Sequence, residues 1–230
     1  MQILNQNDKN IYCIIPGFLG NYTDGFTKKL FDHLVKHAKN VYCVKFFGHE
    51  KNEKKLWNLD EMKKHLIKEI LELKNNPLAQ NKKITLLAHS QGCAVTLDAI
   101  LDTHDKNISL TLLAPAIYID EIILPRISKD DKEKIQKSQK PVLCKVSKKN
   151  YKLLDKNWFS SYKNFSINEK LPHITNDCHI IFPSDDFIPQ KNIHILEKKM
   201  PHTHTDIIDS NHFFDKNVND LNTLITICKI

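Results

Sequence analysis

Short runs of consecutive apolar residues alternate along this chain with stretches whose apolar residues recur every three or four positions. The first run is Ile11-Tyr12-Cys13-Ile14-Ile15, stopped by Pro16-Gly17. Phe26, Leu30, Phe31, Leu34, Val35 and Ala38 then recur at helical spacing. Val41–Phe47 reads as a second strand ending at Gly48. Asn58 and Glu61 have the spacing of a helix start, and Leu59, Met62, Leu66, Ile70 and Leu73 mark the apolar face that follows. Ile84–Ala88 is a third strand, with a helix-patterned segment at Cys93–Leu101. Leu110–Pro115, His179–Phe182 and Asp206–Ile208 complete six predicted strands; Asn192–Lys199 reads as helix, and Phe213–Ile230 as a closing amphipathic helix. Short apolar strands alternating with helices predict an α/β fold, a mainly parallel six-stranded sheet with helices on both faces. The alternation fails between Pro115 and Asp177. That lysine-rich, glycine-free stretch carries only scattered apolar residues (Ile127, Ile135, Leu153, Leu154, Trp158, Phe159, Phe165). It reads as a mostly helical insertion, 116–176, in a core formed by 1–115 and 177–230.

Composition narrows the class. With 230 residues, 41% hydrophobic and 27% charged, the chain has the balance of a soluble globular protein with one substantial core. No apolar run approaches the roughly 20 residues that span a bilayer, and the N-terminus lacks the pattern of a signal peptide. The six cysteines are dispersed without a C-x-x-C pair, which predicts reduced core thiols and a cytoplasmic location. All five glycines precede position 93. Sparing use of glycine raises the chance that each serves a backbone need, although Gly25 and Gly48 read equally well as ordinary turn residues.

The candidate chemistry sits at strand ends. In Ala88-His89-Ser90-Gln91-Gly92 an apolar strand runs through a small-x-Ser-x-Gly turn into a helix, which resembles a nucleophile elbow, with Ala88 where Gly is usual. Three further segments follow strands: Pro16-Gly17-Phe18-Leu19-Gly20-Asn21, Phe182 to Pro189, and Asp209 to Phe214. Together the four resemble the α/β-hydrolases over nearly the whole chain outside the insertion. The resemblance implies a serine hydrolase of the small esterase/lipase type with a cap over its site. Ser90 is then the nucleophile and His212 the base, with Asn211 replacing a common Gly. Asp185 is the acid, because it and not Asp186 is followed by two residues and then by an aliphatic residue and Pro, the family's spacing. The backbone N–H groups of Phe18 and Gln91 form the oxyanion hole. Gly17 and Gly92 give room in the loop and elbow, and Pro16 replaces the family's His.

This machinery needs no cofactor. It suits a carboxylesterase cleaving a small-molecule or carrier-bound acyl ester, with an acyl thioesterase or a non-catalytic binder on the same fold as alternatives. From Arg126 to Lys170 there are thirteen Lys/Arg against five Asp/Glu, an excess of +8 in a chain whose total is +7. The excess is either a lysine-biased solvated surface or a binding face for an anionic partner such as an acyl carrier protein, coenzyme A or an acidic headgroup. No nucleic-acid motif accompanies it. The pairs His33/His37 and His202/His204 have spacings that could bind metal, but no further ligand can be named, so no metal site is expected. Cys93 reads as small packing beside the elbow.

Overall fold

The computed structural model describes residues 2–3, 9–37 and 39–228. Ala38 and the last two residues of the expected closing helix lie outside them. In chain order the elements are β1 (Gln2–Ile3), β2 (Asn10–Ile15), α1 (Gly25–Lys36), β3 (Asn40–Cys43), α2 (Leu59–Asn75), β4 (Lys83–His89), α3 (Gln91–Thr103), β5 (Ser109–Leu113), α4 (Ile119–Ile123), α5 (Lys129–Lys137), β6 (Val142–Lys145), β7 (Tyr151–Leu154), α6 (Lys156–Lys163), β8 (Cys178–Asp185), α7 (Lys191–Lys199), β9 (Thr203–Asn211) and α8 (Asp220–Cys228).

Seven strands form the main sheet in the order β1-β3-β2-β4-β5-β8-β9. The six expected strands are all mutually parallel. The two-residue β1 adds one short antiparallel pairing at the β3 edge. β4 lies at the centre and is apolar on both faces, as a strand covered twice must be. Leu86 and Ala88 point into one core cluster and Leu87 into the other. On the first side pack α2, α3 and α7, through Met62, Leu66 and Ile70, then Val95 and Leu97, then Ile193 and Leu196. On the second pack α1 and α8, through Phe26, Leu30, Leu34 and Leu224.

The capping box forms at the start of α2. The Asn58 side chain accepts from Glu61 N at 2.9 Å, and Glu61 accepts from Asn58 N at 2.8 Å. Two boundaries differ from expectation. β3 stops at Cys43, because the next backbone leaves the sheet after a last bond from Val44 N to Ile14 O. The closing helix begins at Asp220, because Phe213 and Phe214 belong to a turn in which Phe214 has φ 50° and is buried against the α1 side of the sheet.

The segment between β5 and β8 holds an antiparallel hairpin, β6–β7, as well as helices. Its residues Ile127, Ile135, Trp158, Phe159 and Tyr162 join the same buried cluster as α2 and α3. Lys152 on β7 is buried, and its ammonium donates to the carbonyls of Glu50 and Glu53 at 2.7 Å each. It ties the hairpin to the loop after β3 and takes no part in the insertion's exposed positive surface.

A tight backbone crossing lies where α3 leaves β4. A Cβ on Gly92 would lie 2.6 Å from Pro16 O and 2.7 Å from Ile15 O. Both obstacles are backbone, which a side-chain rotation cannot clear. Gly92→Ala is therefore expected to lower unfolding stability by about 2 kcal/mol, the range of core overpacking. An unchanged urea midpoint would refute the close approach.

Candidate functional site

The parallel strands deliver their C-terminal ends to one edge of the sheet, and each segment singled out in the sequence emerges there. Ser90 occupies the turn between β4 and α3 at φ 53° and ψ −123°. A non-glycine residue held at positive φ is strained, at a cost of order 1–3 kcal/mol. Neighbouring strands hold it in place. Ser90 N donates to Leu113 O at 2.9 Å, and Ser90 O accepts from Cys93 N at 3.0 Å and Ala116 N at 3.2 Å. Gly17 lies against the same turn, where an added Cβ would come within 3.0 Å of the Ser90 Cβ.

His212 follows β9 and is buried. Its Nε2 lies 3.1 Å from Ser90 Oγ. Its Nδ1 lies 2.9 and 3.0 Å from the two carboxylate oxygens of Asp186. Nδ1–H thus donates to the carboxylate, leaving Nε2 free to accept the serine proton.

The acid beside the histidine is therefore Asp186, not the expected Asp185. Asp185 is the last residue of β8, paired in register with Asn211 beyond an irregularity at Pro183/Asp185, and it is exposed. The chain leaves the sheet one residue later. Asp186 there accepts Ile188 N–H at 2.8 Å, and this turn points its carboxylate, fully buried, at His212. The spacing pattern placed the acid one position early because strand β8 takes up one more residue than the pattern assumes.

Gln91 is the first residue of α3, so its N–H is one of the donors a helix leaves unpaired at its start. Its buried side chain donates to Tyr162 Oη at 2.6 Å. Tyr162 stacks on Trp158 with centroids 4.2 Å apart, and burial pushes its phenol pKa up. Phe18 follows Gly17 in a turn closed by Gly20 N donating to Gly17 O at 2.9 Å.

Two buried histidines that the sequence reading did not assign brace the site. His89 Nε2 donates to the carbonyl of His212 at 2.9 Å, and its ring packs on Phe26 and His212. Burial first, and the neighbouring His212 second, hold its pKa down at about 3. His49 donates through Nδ1 to Gly20 O at 3.0 Å, and burial lowers its pKa to about 4. Neutral His89 positions the segment carrying His212, and neutral His49 positions the loop carrying Phe18. His89 was legible only as the residue before Ser90, and nothing around His49 in the sequence marked it.

Ser90 and His212 open into a cavity of about 370 Å³ walled by Phe18, Phe26, Phe187, Phe213, Ile123 and Arg126, among others. Phe187 lies over the His212 ring with centroids 4.2 Å apart.

A serine, histidine and buried carboxylate in hydrogen-bonding sequence, at the end of a central parallel strand, is an arrangement for acyl transfer. A family model described as "Putative serine esterase (DUF676)" matches residues 5–122, just over half of the chain. The chain belongs to this family.

As a member of the DUF676 serine esterases it is a serine hydrolase of the α/β-hydrolase type, and solved structures share its fold. Est1E from Butyrivibrio proteoclasticus, with ferulic acid bound, is 17% identical with TM-score 0.76, over 100% of this chain and 92% of its own. A lipase-esterase related protein from Clostridium acetobutylicum ATCC 824 is 18% identical with TM-score 0.68, over 100% and 97%. The esterase Pf2001 from Pyrococcus furiosus is 15% identical with TM-score 0.64, over 97% and 80%. At such identities the likeness is one of fold. A search of curated proteins finds no match to this DUF676 esterase. Among its described residues no helix is long and apolar enough to cross a membrane.

Away from the site, His179, His204 and Asp206 near the starts of β8 and β9 bring ligand atoms within 4.8 Å of one another. His204 thus pairs across strands rather than with His202. The rings of His33 and His37 lie with centroids 4.5 Å apart, tilted by 35°.

Two outcomes follow from the geometry of this esterase. Asp186→Asn should lower kcat by about 10⁴, as loss of the orienting acid does elsewhere, while Asp185→Asn stays within a few-fold of wild type. The opposite ranking in ester hydrolysis would return the role to Asp185. The second outcome concerns acid. His89 binds a proton in the unfolded chain below about pH 6.5 but in the folded protein only near pH 3, so stability falls as pH drops between these values. In His89→Asn, the loss of stability between pH 7 and pH 5 should shrink by about 2 kcal/mol, read from urea unfolding at both pH values. An equal loss in both proteins would show that His89 is not buried neutral.

Proposed function

We propose that the protein is a carboxylesterase working through an acyl-enzyme. The observation that carries this reading is the continuous line Asp186–His212–Ser90 ending in a cavity with four phenyl rings in its wall. As Ser90 Oγ bonds to the acyl carbon, its proton passes to His212 Nε2, and Asp186 stabilises the imidazolium that forms. The carbonyl oxygen gains negative charge and takes hydrogen bonds from Phe18 N–H and Gln91 N–H. Collapse breaks the ester C–O bond, and the departing alcohol takes the proton from His212. Water then repeats the sequence on the acyl-enzyme and frees the acid and Ser90.

The cavity, of about 370 Å³ with four phenyl rings in its wall, suits a short acyl chain or a single aromatic ring. The ferulic acid bound to Est1E is an acid of that kind. We assign the 116–176 insertion the role of a cap, since Ile123 and Arg126 reach the cavity from it. Its exposed lysines would favour an acyl ester presented on an anionic carrier. All six cysteines are unpaired, which suits a reducing, cytoplasmic setting.

Ser90→Ala tests the reading directly. Hydrolysis of p-nitrophenyl butyrate should fall by at least about 10⁴, and labelling by a fluorophosphonate probe should vanish, with the urea midpoint preserved. More than about a tenth of wild-type activity in Ser90→Ala would overturn it. Turnover confined to acyl-coenzyme A would instead mark a thioesterase.

A further inference from the structure

The chain contains thirty-four Lys and Arg residues, and only one of them, Arg126, is arginine. That single arginine lies at the cavity that opens on Ser90. It ends the one-turn helix Leu124–Arg126 of the insertion, and its Nε donates to Ile122 O at 3.3 Å. Its guanidinium carbon stands 5.9 Å from the centre of the Phe18 ring and 5.6 Å from that of Phe187. Phe18 carries one proposed oxyanion donor, and Phe187 covers His212, so the cation sits between the two halves of the reacting centre.

The other charges of the cavity are already matched. Asp215 pairs with Lys29 at 2.7 Å and Asp24 with Lys51 at 3.5 Å. Among the described residues no carboxylate is within ion-pair distance of Arg126. Partial desolvation lowers its pKa, but a guanidinium remains charged at any working pH. A flat guanidinium can rest on ring faces while its in-plane donors stay free for a carboxylate or phosphate; an ammonium does not combine the two.

We propose that Arg126 forms an anion-binding subsite, selecting esters that carry a carboxylate or phosphate group a few atoms from the scissile carbonyl. The proposal rests on the esterase reading above. It differs from attraction by the lysine-rich surface, because it places recognition inside the cavity and on one residue.

The test compares mono-p-nitrophenyl adipate with its neutral methyl ester, each corrected for spontaneous hydrolysis, and adds the corresponding phosphonate. Wild type should prefer an anionic ester in kcat/KM, and the better of the two identifies carboxylate or phosphate as the group read. Arg126→Gln should lower the anionic-to-neutral ratio by at least about tenfold, the size of a lost charge-assisted hydrogen bond, chiefly through KM. Arg126→Lys, which keeps charge without the fork, should give an intermediate ratio and separates recognition from any folding defect. Lys29→Gln should move the ratio less than Arg126→Gln, since Asp215 already neutralises Lys29.

A ratio unmoved by Arg126→Gln would overturn the subsite. So would an equal loss on both esters, which would make Arg126 only a strap across Phe18 and Phe187. Absence of any Ser90-dependent hydrolysis would sink the esterase reading and the subsite with it, whereas hydrolysis with an unmoved ratio would sink the subsite alone.

Discussion

The backbone crossing at the end of β4 is the constraint on which the rest depends. α3 must start against the carbonyls of Ile15 and Pro16, closer than any side chain at position 92 would permit. Ser90 is held there at a positive φ, and the cost is offset by its hydrogen bond to Leu113 O and those it accepts from Cys93 N and Ala116 N. One junction therefore fixes three things at once. It lifts Ser90 into the wall of a cavity, starts α3 at the residue after it, and brings the loop carrying Gly17 and Phe18 alongside. Central placement of β4 then lets β2, β5 and β8, with β9 beyond, bring their own ends to the same edge.

Around this junction, buried polar groups set positions by staying neutral. His89 and His49 each donate one hydrogen bond to a main-chain carbonyl, and burial holds both well below the usual histidine range. A charged ring in either place would have to be taken out of water. His212 differs: one ring nitrogen faces a buried carboxylate and the other faces Ser90 Oγ. Three histidines within one site are thus divided by surroundings into two that brace the backbone and one that links Asp186 to Ser90.

The insertion contributes to the interior as well as the rim. Its Trp158 and Tyr162 pack into the main core, and Tyr162 fixes the Gln91 side chain. Lys152 anchors the hairpin from beneath. Its reach to the cavity comes through Ile123 and Arg126, which line it together with Ser90.

Much of this was legible in one dimension. Apolar runs of five or six residues, capped by Pro16-Gly17 or Ser90-Gln91-Gly92, marked strands and their exits, because a strand buried on both faces must be continuously apolar. Asn58 with Glu61 marked a helix start, because the capping box is a local hydrogen-bond exchange. Ser90 and His212 stood out because each lay in a short motif at such an exit. Features depending on where a strand ends, or on residues far apart in sequence, were not legible. Whether Asp185 or Asp186 faces His212 turns on one residue of register, and a single step reverses the direction of a side chain. His49 became a brace only when its loop folded over Gly20, and Lys152 proved buried only when the hairpin docked on the loop after β3. Local chemistry thus determined the strands, the helix starts and the turn that holds Ser90, whereas which aspartate faces His212, the bracing histidines and the surroundings of Arg126 were decided by packing between distant segments, because only that packing sets which side chains are cut off from water.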